Sequence, residues 1–483
     1  MKLTSPILKI SFLLLISSHL YGQEHDESMD SKELAIQFID SIQEDLIRLS
    51  DSVWSFAEVG LEEYKSARSL ADYAEENGFE VERGTSGMPT AFIATYGTGT
   101  PIIGIFSEYD ALPGLSQKVL PQREALIEDA PGHGCGHNLI GTGGLGAAMA
   151  IKNLMEQGLL QGTIRLYGAP AEENQGGKQY MARDGQFDDL DVCLDWHPSD
   201  RIKSIDKNTQ GILNFTFKFK GQASHAGGAP WDGKSALDGV ESFLNGINLL
   251  REHIRPTVRI HYVITRGGEV PNVVPENAEV WLWVRDIDME NLLKMGERVK
   301  EIAQGAALIA GVEHEVVLNG GLYNSLKNKK GAEVLQSNIA LLGPIEYTKE
   351  ETEFAYKIQD AFGVAKTGMS AKFLSMTEAL NDPLTFASDV GDVSWNVPEI
   401  SLKTITVPQN ISMHTWGVVA CGGMSIGHKG MIYSSKALAL TMIDLYMNPD
   451  LILNIRREFV ERKGSHIYKG MIPDGPPPIP EMK

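Results

Sequence analysis

The chain has 483 residues, 42% of them hydrophobic, with 43 basic against 63 acidic side chains. That length exceeds the usual size of one core, so two domains are expected, and the apolar share is enough to bury both and excludes a disordered chain. A formal charge of −20 speaks against a nucleic-acid partner, which needs clustered Lys and Arg, and reads as a solvated acidic surface.

In chain order, Lys2 and Lys9 lead into the apolar run Ile10-Ser11-Phe12-Leu13-Leu14-Leu15-Ile16, too short to span a bilayer. Small and polar residues follow up to Gly22 and then Gln23-Glu24-His25-Asp26, which predicts a signal peptide over 1–22 and export to the periplasm or medium. Its removal takes away two lysines and no acid, so the charge of the mature chain becomes −22. No later stretch is long and apolar enough for a membrane span. Cys135, Cys193 and Cys421 are too few and too far apart for a disulfide framework. An unpaired thiol is a liability after export, which suggests metal at Cys135; the other two read as buried thiols.

From about Asp30 to Gly78 the pattern is helical, with Leu34, Phe38, Ile42 and Leu46 as the apolar stripe. Thr90–Tyr96 and Pro101–Ser107 read as buried strands, Gly141–Met155 as a Gly-rich helix, and Gly162–Gly168 and Asp189–Leu194 as further strands. That alternation predicts a three-layer α/β/α catalytic domain, first part over 30–210. The pattern changes at 211–326, where β-α-β-β-α-β order predicts an inserted ferredoxin-like α+β domain. The catalytic domain resumes over 327–470, and the proline-rich 471–483 is expected to be an extended tail without catalytic meaning.

Five residues spread over this frame are metal-ligand types in settings suited to one divalent-metal site: Cys135, His137, Glu173, His197 and His414. Cys135 and His137 lie in the small-residue turn Gly132-His133-Gly134-Cys135-Gly136-His137-Asn138. Glu172-Glu173 follow a strand and Pro170-Ala171, while Asp195-Trp196-His197-Pro198 closes another apolar run. For the last ligand His428 competes with His414. A different reading makes Cys135 a thiol nucleophile with His133 or His137 as base, but it leaves Glu173, His197 and His414 unexplained; a third makes the protein a non-catalytic, metal-containing binding module.

Together with Ser107-Glu108-Tyr109-Asp110-Ala111-Leu112-Pro113-Gly114 and Ser388-Asp389-Val390-Gly391-Asp392-Val393-Ser394-Trp395, these motifs resemble the M20 metallopeptidase and aminoacylase superfamily. Within its amidohydrolase branch they are similar to the aminobenzoyl-glutamate hydrolase group, over roughly Leu34 to Leu445. The resemblance implies a zinc-peptidase-like catalytic domain with a lid and dimerisation domain inserted in it. It implies two divalent ions per subunit, zinc or manganese, on Cys135, His137, Glu173, His197 and His414, holding and acidifying a bridging water. Glu172 then matches the general base. His225, in Gly221-Gln222-Ala223-Ser224-His225, and Asn272, in Pro271-Asn272-Val273-Val274-Pro275, match residues that help bind the scissile carbonyl oxygen across a dimer. Asp110 matches an acid that orients a metal ligand, and Arg285 is placed to engage a substrate carboxylate. Asn138 and Ile140 depart from the branch's Asp and His, and Asn138 is shared with the aminobenzoyl-glutamate-like group. The implied activity is cleavage of an amide bond in an N-acyl amino acid or small peptide, with a dipeptidase of the same fold as alternative. The implied assembly is a homodimer or a pairing with a homologous partner chain.

Overall fold

The computed structural model describes residues 7–207, 209–381 and 387–481, with side chains from residue 28 onward; the segment expected to be a signal peptide lies outside the side chains so described. Among the described residues eleven strands form two sheets. They are β1 (Glu80–Arg83), β2 (Phe92–Thr98), β3 (Ile102–Ser107), β4 (Gly162–Gly168), β5 (Val192–Ser199), β6 (Lys203–Ile205), β7 (Gly211–Lys220), β8 (Arg259–Arg266), β9 (Asn277–Asp286), β10 (Glu313–Leu322) and β11 (Glu399–Ile405).

The larger sheet has the order β1-β2-β4-β3-β5-β11-β6, with β4, β3, β5 and β11 mutually parallel and the flanking strands antiparallel. Alternate residues feed two separate cores, as a pleated strand requires. Ile103, Ile105, Ile164, Leu166, Val192 and Leu194 pack against helices His137–Glu156 and Ser425–Met447. Phe106, Tyr167 and Cys193 face the other way, toward Tyr180, Met181, Phe187 and Val393. This is the three-layer α/β/α arrangement expected.

Two local expectations are corrected. In helix Ile7–Phe56 the buried stripe is Ala35, Ile39, Leu46 and Val53, and Leu34 is exposed. The stripe turns because this helix lies against the Gly-rich helix: a Cβ on Gly146 would meet Leu46 at 2.8 Å, so small residues set the approach. Second, β5 runs to Ser199, so His197 stands within the strand and not after it.

The smaller sheet has the order β10-β7-β9-β8, all antiparallel, with helices Ala236–Leu250 and Met289–Ala310 on one face. Phe215, Phe217, Phe219, Val280, Leu282 and Val284 alternate into that helix-covered core. Asn214, Trp281, Trp283 and Arg285 take the opposite face. This is the ferredoxin-like topology. The proline-rich tail is partly anchored: Met471 is buried in the second core and Gly475 O accepts from Arg183 at 2.7 Å. Among the described residues no helix is long and apolar enough to cross a membrane.

Candidate active site

The chemistry-bearing residues collect at the carboxyl ends of the parallel strands, where an open α/β sheet presents its loops. Glu108 and Asp110 follow β3, Glu172 and Glu173 follow β4, His197 lies near the end of β5, and His414 follows β11. Two local devices aim them. Ala171, fully buried, holds φ +59, and its N–H is gripped by Glu63 at 2.8 Å, which turns the chain so that the next two carboxylates face the cleft. Gly136 takes φ +77 at the start of helix His137–Glu156 and separates Cys135 from His137 by a left-handed step.

Three overlapping groups of ligand atoms, each within 4.8 Å, result: Cys135 with His137 and His197; Cys135 with Glu173 and His414; and His137 with Glu172 and Glu173. Cys135 belongs to two of them, and its Sγ lies 3.1 Å from His197 Nε2. Second partners set the imidazole tautomers. His137 Nδ1 donates to Asp110 Oδ1 at 2.8 Å and His197 Nδ1 donates to its neighbour Pro198 O at 2.8 Å, so each ring offers the lone pair of Nε2 to the cleft. Asp110 Oδ2 also accepts from Glu173 N at 3.0 Å.

Two buried atoms in this cluster, His137 Nε2 and Glu173 Oε1, have no hydrogen-bond partner, which a folded interior rarely tolerates unless something else satisfies them. His414 is pushed up to about 10 by the neighbouring Cys135 and Glu173 side chains, so a proton is drawn to where a cation would serve. Soft thiolate, imidazole and carboxylate donors in this arrangement fit first-row divalent metal. Burial pushes the Glu172 carboxyl well above the usual range, and the charges of Glu108, Asp389 and Glu173 add to it.

His414 stands in this cluster, 3.4 Å from Glu173 Oε1, with its side chain 54% exposed, which puts the open side of the site there. His428 is instead 2.9 Å from Asp51. His133 is turned toward Val53 O at 3.0 Å, and burial lowers it to about 4; it belongs to none of the ligand groups. His225, Asn272 and Arg285 belong to the inserted unit and to none of those groups either. His225 and Asn272 are both exposed and adjacent, Ala226 N donating to Asn272 O at 3.1 Å. The N–H groups of Gly227 and Gly228 donate to His225 Nδ1, which leaves the proton of the neutral ring on Nε2. Arg285 is half-buried over the Trp283 ring at 5.0 Å.

Sequence reasoning missed Glu63, Glu108, Lys178 and Asp389. The last three form a buried ion-pair cluster behind Glu172. The available signal was Lys178 itself, a charge among the small and apolar residues Gly177, Tyr180, Met181 and Ala182 of a short helix.

Residues 104–392 match the model of peptidase family M20/M25/M40. The chain belongs to this family. It is a hydrolase of amide bonds. It is 35% identical over 470 residues to one of the p-aminobenzoyl-glutamate hydrolase subunits of Escherichia coli, covering 91% of this chain and 98% of that one. It is 30% identical to the human Xaa-Arg dipeptidase, covering 87% and 90%. A dinuclear metal-binding M20 peptidase of Bacillus subtilis has the same fold, with TM-score 0.61 at 16% identity, covering 84% of this chain and 99% of its own. The M20 match ends at Asp392, so His414 joins the cluster from outside it.

Proposed function

We propose that this M20 enzyme cleaves the amide bond of an N-acyl amino acid or dipeptide, with aminobenzoyl-glutamate-like compounds as the favoured substrates. The observation that carries this reading is that Cys135, His137 and Glu173 are each common to two overlapping ligand groups, with Glu172 in the same cleft 4.0 Å from His137 Nε2. We read two divalent ions per subunit, zinc or manganese, which Cys135, His137, Glu173, His197 and His414 would hold. When bound, the ions supply Lewis acidity that acidifies water and polarises the amide carbonyl.

The protein's own groups do the rest. Glu172 takes the proton of the attacking water and later returns it to the leaving nitrogen. Asp110 fixes the His137 ring and the Glu173 backbone together. His225 Nε2–H and the Asn272 amide are donors for the carbonyl oxygen as negative charge develops on it. Arg285 is read as the partner of the substrate carboxylate. Exposure of His225 and Asn272 supports their reaching a second copy or a homologous chain, in a homodimer or a mixed pair; the E. coli relative is itself one subunit of a hydrolase. The amino-terminal segment is read as a cleaved signal peptide, which puts the mature enzyme in the periplasm or medium.

The test is a hydrolysis panel of p-aminobenzoyl-glutamate, other N-acyl amino acids and dipeptides including Xaa-Arg, run on protein of measured metal content. Hydrolysis of the first, lost on chelation and regained on adding metal back, is expected. Preference for Xaa-Arg would move the assignment to the dipeptidase, and no hydrolysis by metal-loaded protein would leave a binding protein.

A further inference from the structure

Lys178 is fully buried and is held at both its side chain and its backbone. Its Nζ lies 2.6 Å from Glu108 Oε1 and 2.7 Å from Asp389 Oδ1, and its backbone N–H donates to Asp389 Oδ2 at 2.9 Å. Asp389 comes from a loop 211 residues away and is itself fully buried. Such a cluster is costly to desolvate and is weak as a source of stability compared with apolar packing, so its presence calls for another reason. The reason lies on its far side. The other oxygen of Glu108, Oε2, sits 3.4 Å from His137 Nε2, and Glu172 Oε2 sits 4.0 Å from the same nitrogen. With Glu173 Oε1 at 3.8 Å, three carboxylates face that nitrogen, and Glu108 is the nearest of them. Lys178 occupies an oxygen of Glu108, whereas among the described residues the ion-pair contact of Glu172 is His137 alone.

We propose that Lys178, anchored by Asp389, is a positioning residue for amide hydrolysis: it holds Glu108 by its Oε1, which keeps that carboxylate from closing further on the cleft and leaves Glu172 as the carboxylate that addresses the reacting water. This rests on the reading of Glu172 as general base. Without the tie, Glu108, already 3.4 Å from His137 Nε2, is free to close further and displace Glu172 or the water from its line. A misplacement of about 1 Å costs on the order of a hundredfold in turnover.

The experiment compares Lys178→Met, Asp389→Asn, the double variant Lys178→Met/Glu108→Gln, and Glu172→Gln, each with metal content and melting temperature measured. Lys178→Met and Asp389→Asn should lower kcat at least tenfold with KM within about twofold and metal content retained. The double variant should recover much of that kcat, because the carboxylate that strays is gone; a role in stability alone gives no such recovery in protein folded at the assay temperature. Wild-type kcat in folded Lys178→Met, or no recovery in the double variant, overturns the proposal. Where Lys178→Met does not fold, Asp389→Asn decides by the same kcat criterion. Turnover retained in Glu172→Gln removes the reading beneath it, whereas an inactive Glu172→Gln beside an active Lys178→Met refutes the positioning role alone.

Discussion

Asp110 accepts the Nδ1–H of His137 at 2.8 Å with one carboxylate oxygen and gives the other to the backbone N–H of Glu173. One fully buried acid thus sets the ring of one candidate ligand and the chain position of another. Burial opposes its charge, but the interaction with His137 and the hydrogen bond from Glu173 N prevail and hold its carboxyl below the usual range.

Asp110→Asn should therefore weaken metal binding by about 10- to 100-fold, the scale for losing a group that orients a ligand. An amide has one oxygen for two donors, so either His137 or Glu173 loses its partner. Competition against a chelator measures the effect. Wild-type affinity in the variant would mean that Asp110 serves the fold only.

The adjacent carboxylates Glu172 and Glu173 should separate by experiment. Glu172→Gln is expected to keep metal and lose turnover about a hundredfold or more, the scale of a positioned base. Glu173→Gln should lose metal, because it removes the carboxylate that faces His137 and His414 in the ligand cluster. Equal metal loss in both would show that the division of roles is wrong.

What was legible in the sequence follows from locality. Cys135 and His137 lie in one tight turn, and Glu173 and His197 each sit at the end of an apolar strand, so short motifs reveal them. The inserted unit was readable because its strands and helices alternate with clean periods. The buried cluster of Lys178 with Glu108 and Asp389 was not, although both acids stand in quoted motifs, since an ion pair between positions 211 residues apart leaves no local pattern and lysine is ordinarily a surface residue. β11 was missed for a related reason. Glu399-Ile400-Ser401-Leu402-Lys403-Thr404-Ile405 alternates like a half-exposed strand, yet every residue is buried, with Glu399 paired to Lys327 at 2.7 Å. His414 was named as a ligand, but its left-handed backbone, fixed by the bond from its N–H to Gly134 O, left no sign in the sequence.

The pH dependence of turnover tests the carboxylate cluster. A base works ionised, so kcat/KM must fall as pH drops through its pKa. Burial and then Glu108, Asp389 and Glu173 push the Glu172 carboxyl up, so the acidic limb should lie above the range of an exposed carboxylate. Glu108→Gln removes one of these charges and should move that limb to lower pH. A shift the other way, or an unmoved limb, would assign it to a different group.

The last prediction concerns assembly. His225 has its Nδ1 engaged by the N–H groups of Gly227 and Gly228 and its Nε2–H free to donate, on an exposed loop of the inserted unit. If that donor serves the site of a second copy, a lone chain has its metal ligands and base but lacks part of the group that receives the developing negative charge. Two inactive variants should then rescue each other: Glu172→Gln, which lacks the base, and His225→Ala, which lacks the donor. In a mixed dimer the intact base of one chain meets the intact imidazole of the other, giving one good site and one doubly defective site. Random reassembly makes about half the dimers mixed, so activity should approach roughly a quarter of wild type for a twofold-symmetric pair. Exchange of chains is followed independently by mass or fluorescence. Exchange without recovery would put His225 in its own chain's site or outside catalysis, and the exposed loop would then need another role.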